Sequence, residues 1–237
     1  MMQKALLTVA LLAALPVAGT ALAEQRPISA NLSLSSDYAF RGVSQTDERP
    51  AIQGGLDYIH ASGLHAGVWA SNVSWLSDAG ASNSLETNIY AGYAGEAGGV
   101  GYDLGVLHYY YPGSYGGEYK AAGGEDPDTT EGYLGLSWEY LSFKYSYAFS
   151  DAFGAADSDG SQYFDLGASF ELGRGFALDA HVGYSEMKGG LDNYTDWKLG
   201  VTRNFAGVDV GLHYVDTDLD DSDLADERLI LSVAKSF

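Results

Sequence analysis

The chain contains no cysteine and only 5 prolines, and it has few basic residues. The absence of cysteine excludes a disulfide framework, a cysteine-ligated metal and a thiol nucleophile. Lysine and arginine number 12 against 32 aspartates and glutamates, so this chain of 237 residues lacks the basic surface that nucleic-acid binding requires. Hydrophobic residues nevertheless make up 46% of the sequence, which excludes a disordered acidic tail and predicts a folded protein.

The N-terminal segment has the features of a cleavable secretory signal peptide. Lys4 supplies a positive charge, residues 5–15 form a short apolar run, and residues 21–23 form an Ala-Leu-Ala cleavage motif. We therefore expect residues 1–23 to be removed on export and residues 24–237 to form the folded domain. The alternative is an N-terminal anchor helix, which the cleavage motif disfavours. No later stretch approaches the roughly 18 consecutive apolar residues of a membrane-spanning helix.

Apolar and polar residues alternate with a period of two over most of the remaining sequence. Residues 64–71, for example, read Leu-His-Ala-Gly-Val-Trp-Ala-Ser. This pattern predicts a β-strand with one apolar face and one polar face. Twelve segments of this kind are present: 28–40, 52–58, 64–71, 85–93, 100–106, 134–140, 143–149, 164–170, 176–184, 197–205, 208–214 and 228–237.

The connections between these segments alternate strictly between short and long. The short connections lie near 61–63, 95–99, 140–142, 172–175 and 206–207, and the long ones near 41–50, 76–84, 111–130, 151–160, 186–195 and 216–226. Tight turns at one end and long loops at the other are typical of outer-membrane barrels. We therefore predict an all-β fold: a transmembrane antiparallel up-and-down β-barrel of 12 strands in the cell outer membrane. Its short turns and both chain ends would be periplasmic, and its long acidic loops extracellular.

A soluble β-sandwich is the alternative fold, because its strands alternate in the same way. Two features favour the barrel: the regular loop lengths and the aromatic residues at strand ends, which resemble the aromatic girdles of membrane barrels. Tyr38 and Phe40, at the end of the first segment, are expected to belong to such a girdle. The C-terminal Phe237 is similar to the signal that barrel-assembly machinery reads. The expected partners are therefore that machinery, periplasmic chaperones, outer-membrane lipid and lipopolysaccharide.

Most carboxylates fall in the long loops or on the polar faces of the strands, and almost no charge falls on the apolar faces. The predicted interior carboxylates are Asp37, Asp57, Glu86, Asp103, Glu131, Glu139, Asp165, Glu171, Asp179, Asp196 and Asp209. The predicted interior bases are Lys144, Lys198 and Arg228, with Arg41 at the mouth. An acidic lumen and mouth raise the local cation concentration, and the many interior glycines favour open space. This pattern predicts a narrow, cation-preferring conduit; the alternative is a lumen closed by paired polar side chains.

The acidic segment from Asp216 to Glu227 has the spacing of a calcium loop. Asp216, Asp218, Asp220 and Glu227 occupy positions 1, 3, 5 and 12 of a twelve-residue frame. Position 6 is Asp221 instead of the glycine that the sharp turn requires, and the flanking segments are strands. We expect loose binding of Ca²⁺ or Mg²⁺ at most, and no other cofactor. The alternative is a solvated acidic loop, bridged through divalent cations to lipopolysaccharide.

An outer-membrane hydrolase would need a nucleophile with a base in reach. His65, His181 and His213 are predicted to face the interior, but none lies in a catalytic motif. An interior histidine is more often part of a polar network than a catalyst. We therefore expect that the protein is not an enzyme.

The N-terminal half resembles the TorF family of porin-like outer-membrane proteins. The residues that carry the resemblance are 34–46, 50–58, 63–72, Glu86 and 109–113. The resemblance implies an outer-membrane barrel with a porin-like role. Its motif residues that face inward are expected to form a polar network on one lumen wall, for selectivity or to hold the seam of the barrel. With three further interior residues, the candidate lumen residues are Asp37, Arg41, Gln53, Asp57, Trp69, Ser71, Glu86, Asp103, Lys144 and Asp179.

Two functions remain open from the sequence. The first is passive diffusion of small solutes, with a preference for cations, through a porin-like channel. The second is a closed structural or adhesive barrel whose acidic loops bind divalent cations or surface partners.

Overall fold

The computed structural model describes residues 27–220 and 222–237, so the predicted signal peptide and Asp221 lie outside the described residues. Twelve antiparallel strands form a closed barrel, in which β1 pairs with both β4 and β14. Two further short strands, β2 and β3, form a separate hairpin. The strands are β1 Ile28–Ser35, β2 Ala39–Phe40, β3 Val43–Ser44, β4 Ala51–Ile59, β5 Leu64–Asn72, β6 Leu85–Ala97, β7 Val100–Tyr110, β8 Thr129–Trp138, β9 Leu141–Ala148, β10 Gln162–Gly173, β11 Phe176–Glu186, β12 Tyr194–Phe205, β13 Val208–Thr217 and β14 Arg228–Ser236. The predicted 12-strand barrel is confirmed.

Short turns and long loops occupy opposite ends of the barrel, as the sequence predicts. Three of the short turns are centred on the residue pairs Gly98-Gly99, Arg174-Gly175 and Ala206-Gly207. In each of these turns both central residues have positive φ, which is the backbone conformation that a type I′ hairpin requires. The long connections carry three short helical segments: α1 Trp75–Asp78, α2 Glu118–Ala121 and a 3₁₀ turn Asp223–Ala225. No helix in the described part of the chain has the length and apolar character needed to cross a membrane.

The outward face of the barrel is apolar. Leu56 and Leu166 expose 55% and 50% of their surface, and the same holds for leucines, valines and aromatic residues on every strand of the barrel. A continuous exposed apolar surface of this kind is stable against lipid and not against water. Two outward cations lie near the short-turn end: the Arg203 guanidinium lies over the ring of Phe205 at 4.1 Å, and the Lys235 ammonium over that of Phe237 at 5.1 Å.

Several interior glycines lie beneath aromatic rings of neighbouring strands. The ring of Tyr90 lies over Gly67, and the ring of Tyr133 lies over Gly105, so neither position has room for a β-carbon. The expectation that these glycines leave open space is therefore wrong at such positions. The missing β-carbon lets a large ring lie flat across the adjacent strand.

The first strand is shorter than the sequence pattern predicts. The alternation extends from Ile28 to Phe40, but β1 ends at Ser35, and the chain then turns into the barrel. Residues 37–46 form what we call the inner hairpin, built from β2 and β3. Tyr38 is completely buried, so its assignment to an aromatic girdle is wrong, and Phe40 is partly buried among interior rings. At the tip of the inner hairpin, Arg41 and Gly42 both have positive φ, and the chain reverses direction within these two residues.

Candidate functional site in the barrel lumen

The base of the inner hairpin is held by Asp37. One carboxylate oxygen accepts hydrogen bonds from Ser44 Oγ at 2.6 Å and Thr46 Oγ1 at 2.9 Å. The other accepts a hydrogen bond from Arg228 Nε at 2.7 Å, and Arg228 also donates to the carbonyl of Gly42 at 2.5 Å. This buried carboxylate therefore joins the two ends of the hairpin to each other and to β14. These contacts are strong, because hydrogen bonds to a charged group are stronger than those between neutral groups.

The tip of the hairpin is joined to the far wall by Arg41. Its guanidinium donates to both carboxylate oxygens of Glu131, at 2.6 and 2.8 Å, and it lies 4.4 Å from the ring centre of Tyr163. Glu131 lies on β8, nearly opposite β1 in the ring of 12 strands. Burial acts to lower the pKa of Arg41, but Glu131 and nearby tyrosines raise it above its ordinary value. Arg41 therefore stays charged, and its ion pair spans the lumen.

Tyr38 connects the hairpin to a third strand. Its hydroxyl donates to Glu86 on β6 at 3.1 Å, and its ring packs edge-on against Trp69 with the ring centres 5.5 Å apart. Glu86 also accepts hydrogen bonds from Asn88 at 2.8 Å and from Tyr111 at 3.3 Å. Burial, followed by the charge of Glu86, raises the pKa of Tyr38 well above its ordinary value. The phenol therefore remains a hydrogen-bond donor at alkaline pH.

An aromatic cluster fills the space beside the hairpin. The rings of Phe40, Tyr109 and Phe153 pack edge-to-face, with ring centres 5.2–5.6 Å apart. Such contacts exclude water and fix ring positions. The long-loop half of the lumen is thus occupied by the hairpin and by the rings around it.

Gly42 brings the hairpin tip against the wall formed by β12 and β13. A β-carbon at this position would lie 2.6 Å from Cβ of Asp196 and would overlap Thr217. The φ of +83° is also one that glycine adopts readily and other residues rarely do. Glycine is required here both by its backbone and by the contact.

Part of the lumen wall is more exposed toward the short turns. On β1 and β4 the inward residues next to the hairpin, Ser35 and Gln53, are buried, whereas Asn31 and Asp57, nearer the short turns, are partly exposed. The same change occurs on β9, where Ser146 is buried and the inward residues nearer the short turn are partly exposed. On these three strands the polar wall is more exposed toward the short turns, whereas on β11 to β13 the inward residues Asp179, Thr202 and His213 are buried there as well.

The predicted lumen wall is only partly formed as expected. Gln53, Ser71 and Glu86 are direct cross-strand neighbours on β4, β5 and β6, and thus share one row of the wall. Asp37 and Arg41 do not lie on this wall, because the inner hairpin carries them to β14 and β8. The polar network therefore has two parts: a row of side chains on β4, β5 and β6, and the inner hairpin, whose contacts reach β8 and β14.

The remaining candidate residues take part in separate interactions. Asp57 accepts a hydrogen bond from the hydroxyl of Tyr90. Asp103 pairs with His65 Nε2 at 2.9 Å, and Lys144 lies 4.8 Å from the ring centre of Tyr133.

Asp179 interacts with neighbours on three strands. It accepts hydrogen bonds from Ser169 and Thr202, both at 2.8 Å, and lies 3.6 Å from His213 Nε2. His65, His181 and His213 all have carboxylate partners, which is the network role that the sequence suggests for them.

Sequence reasoning missed the roles of Glu131 and Arg228. Both were predicted to face the interior, but neither was selected as a candidate, because no local pattern shows which residues the inner hairpin reaches. Glu131 is 90 positions from its partner Arg41 in the sequence, and Arg228 is 191 positions from Asp37. The available signal was the small number of predicted basic residues in the interior: Arg228 is one of three, and Arg41 at the mouth needed a carboxylate partner.

The proposed calcium loop is not gathered around one point. Asp216 accepts a hydrogen bond from Tyr214 at 2.8 Å, Asp218 caps the backbone N–H of Thr195, and Asp220 and Glu227 are exposed. Across residues 27–220 and 222–237, no group of three or more acidic or histidine side chains is placed to hold a metal ion. Loose divalent binding by this loop stays a prediction.

Comparison with known proteins places the chain in a family. Residues 21–237 match the family described as "Bacterial protein of unknown function (Gcw_chp)". The chain belongs to this family. No curated protein matches it.

The Gcw_chp barrel is similar to several solved outer-membrane channels. The KdgM porin is 10% identical with a TM-score of 0.56, and the match covers 88% of this chain and 99% of the porin. The NanC porin is 12% identical with a TM-score of 0.54, covering 89% and 98% of the two chains. An outer-membrane channel from Pseudomonas putida F1 is 14% identical with a TM-score of 0.51, covering 89% and 94%. At these identities the likeness shows the fold, which is that of outer-membrane porins.

Proposed function

We propose that this Gcw_chp protein is an outer-membrane channel for passive diffusion of small solutes, narrowed from the long-loop side by its inner hairpin. The observation that supports this most is the polar lumen, whose wall is partly exposed on β1, β4 and β9 and which holds a hairpin fixed through Asp37–Arg228 and Arg41–Glu131. The proposal includes residence in the outer membrane, with periplasmic short turns and extracellular long loops. The resemblance to the TorF porin-like family points the same way.

The proposed channel prefers cations. In the described residues of β4 to β8, the inward-facing carboxylates are Asp57, Glu86, Asp103, Glu131 and, at the end of β6, Glu96. Glu131 is paired with Arg41 of the inner hairpin, and the described residues of these strands include no inward lysine or arginine. The long loops add further carboxylates at the mouth. A low-dielectric cleft lined by one sign of charge concentrates ions of the opposite sign. Small cations would therefore enter more readily than anions.

A closed barrel is the second candidate, and the inner hairpin is the observation that favours it. Tyr38, Glu86 and Glu131 are almost fully buried at the constriction. In this alternative the hairpin is a permanent plug, and the acidic loops bind divalent cations or surface partners.

Ion conductance of the purified barrel in a planar lipid bilayer separates the two candidates. Stepwise currents, with a reversal potential in a KCl gradient that indicates cation preference, support the channel. Silence at all salt concentrations and voltages would leave the closed barrel.

A matched pair of variants tests the cation preference itself. Asp57→Asn removes a partly exposed lumen charge, and Asp47→Asn removes a loop charge that pairs with Arg49. We expect Asp57→Asn to shift the reversal potential toward zero more than Asp47→Asn does. Equal effects would place the selectivity outside the lumen.

A further inference from the structure

Lys144 and Lys198 differ from the other inward-facing cations. Arg41 and Arg228 each form an ion pair with a carboxylate. Neither lysine has a hydrogen-bond or ion-pair partner among residues 27–220 and 222–237, although Lys144 lies over the ring of Tyr133. Both lysines are partly exposed as whole residues, and both lie on the inward face of their strands.

The carboxylates next to these lysines are occupied by a histidine. Asp165 is the direct cross-strand neighbour of Lys144, but it pairs with His181 Nδ1 at 3.1 Å. Asp196 lies on the same strand as Lys198, on the same face, but it pairs with His181 Nε2 at 2.7 Å. The hydrogen-bonded partner of both carboxylates is therefore the histidine, and neither lysine is hydrogen-bonded to them.

The pairing also fixes the charge of His181. A carboxylate only accepts hydrogen bonds, so both ring nitrogens must carry protons to interact with Asp165 and Asp196. His181 is then an imidazolium. The charges of Glu131 and Asp103 also act on Lys144, and that of Asp179 acts on Lys198, but these three carboxylates pair with Arg41, His65 and His213. In the described part of the chain, the two lysines are thus the cations of this wall that have no hydrogen-bonded carboxylate.

The positive residues form one continuous surface. His181 is the direct cross-strand neighbour of Lys198, and Asp165 links His181 to Lys144, so the cluster runs from β9 to β12. These strands are three spacings apart, roughly 14 Å along the wall. Each ammonium has three donors and no protein acceptor, so the complementary ligand is one that brings oxygen acceptors and negative charge.

We infer that Lys144, His181 and Lys198 form an oxyanion-binding site in the lumen, for the carboxylate or phosphate group of a small solute. The inference deepens the proposed channel function by naming a solute class that the lumen holds, but it rests on the barrel interior and not on ion conduction. The acidic loops repel anions at the outer mouth, so we expect the solute to approach from the short-turn end, where the wall on β1, β4 and β9 is partly exposed. A solute with an oxyanion and a positive group would meet these lysines on one wall and Asp57 on the other.

Inorganic phosphate serves as the probe, with equilibrium binding followed by broadening of its ³¹P resonance in the presence of the full folded barrel. We expect Lys144→Gln and Lys198→Gln each to weaken phosphate binding about tenfold, which corresponds to about 1.4 kcal/mol. The matched control is Lys188→Gln, because Lys188 is an exposed loop lysine paired with Glu186. The control should bind phosphate as the unmodified protein does.

Folding and conduction are read separately from binding. Each variant is first tested for the heat-modifiable gel band of a folded barrel, and Lys144→Arg, which keeps the charge, should retain binding. Absence of phosphate binding to the unmodified barrel, or equal loss in Lys188→Gln, overturns the oxyanion site. Phosphate binding without bilayer conductance would support the site while contradicting the channel. Bilayer conductance without phosphate binding would support the channel while contradicting the site.

Discussion

Arg41 and Glu131 form an ion pair that crosses the lumen of the barrel, from the tip of the inner hairpin to β8 on the nearly opposite wall. Both side chains are almost fully buried, with 10% and 4% of their surface exposed. A buried charge that loses its partner is strongly destabilising, so each side chain depends on the other. The pair therefore holds the tip of the hairpin, as Asp37 and Arg228 hold its base.

Removing the carboxylate should release the tip of the hairpin. In Glu131→Gln, Arg41 loses its charged partner, and we expect trypsin to cleave after Arg41 in the intact barrel, where the unmodified protein resists. Mass spectrometry of the fragments measures the cleavage site. The matched control is Asp47→Asn, which removes the carboxylate partner of the exposed Arg49 and should leave the Arg41 site protected. Equal protection of Arg41 in Glu131→Gln would show that the ion pair does not hold the hairpin.

A β-carbon at Gly42 should push the hairpin away from the wall. In Gly42→Ala the new carbon would meet Asp196 and Thr217, so we expect larger bilayer currents than in the unmodified barrel. Gly123→Ala is the control, because Gly123 also has a positive φ (+89°) but has no atom within 4 Å of such a carbon. Backbone strain is then similar in the two variants, and only the contact differs. Indistinguishable currents in the two would argue against the tip contact.

The phenol of Tyr38 should resist ionisation at alkaline pH. Its pKa is raised by burial and by Glu86, so the phenol stays neutral in the folded protein above its ordinary pKa of about 10. Its contribution to folding stability is complete below that pH and is lost progressively as the pH rises toward the raised pKa. Tyrosinate absorbance of the folded protein and of Tyr38→Phe should therefore coincide through about pH 11. After unfolding, the unmodified protein should show one additional tyrosine titrating near pH 10. An absorbance difference in the folded state near pH 10 would mean that Tyr38 is exposed.

The glycine-ring contacts should contribute to stability. Gly67→Ala would place a carbon against the ring of Tyr90, whose hydroxyl also donates to Asp57, and we expect a loss of about 1–3 kcal/mol of unfolding free energy. The temperature at which the folded gel band disappears should fall. Gly116→Ala is the control, since a β-carbon there meets no atom within 4 Å. A similar fall in both variants would assign the effect to glycine itself and not to the ring contact.

The barrel could be predicted from the sequence because membrane strands impose a strict rule. One face must be apolar and the other polar, and tight turns must alternate with long loops, so period-two alternation carries most of the architecture. Residues 64–71 illustrate this, because their alternation predicts the outward and inward faces of β5. Alternation and loop length are both local properties of the chain, so they can be read from a single sequence.

The inner hairpin could not be predicted from the same rule. Residues 36–40 continue the alternation of β1, but Ser44, Thr46 and Arg228 bind Asp37 and draw the chain inward. Alternation also cannot distinguish a glycine that leaves space from one covered by a neighbouring ring, as at Gly67. Both features depend on the register between strands, which the sequence pattern leaves undetermined.

The most direct test of the central claim is the single-channel conductance of a barrel that lacks the inner hairpin. Residues 38–45 can be replaced by a Gly-Ser-Gly linker, because Ser35 and Ala51 are already direct neighbours on β1 and β4. If the hairpin is the constriction, this variant should conduct several times more current than the unmodified barrel in the same salt. Equal conductance in two folded proteins would contradict the account, because the lumen would then be limited elsewhere.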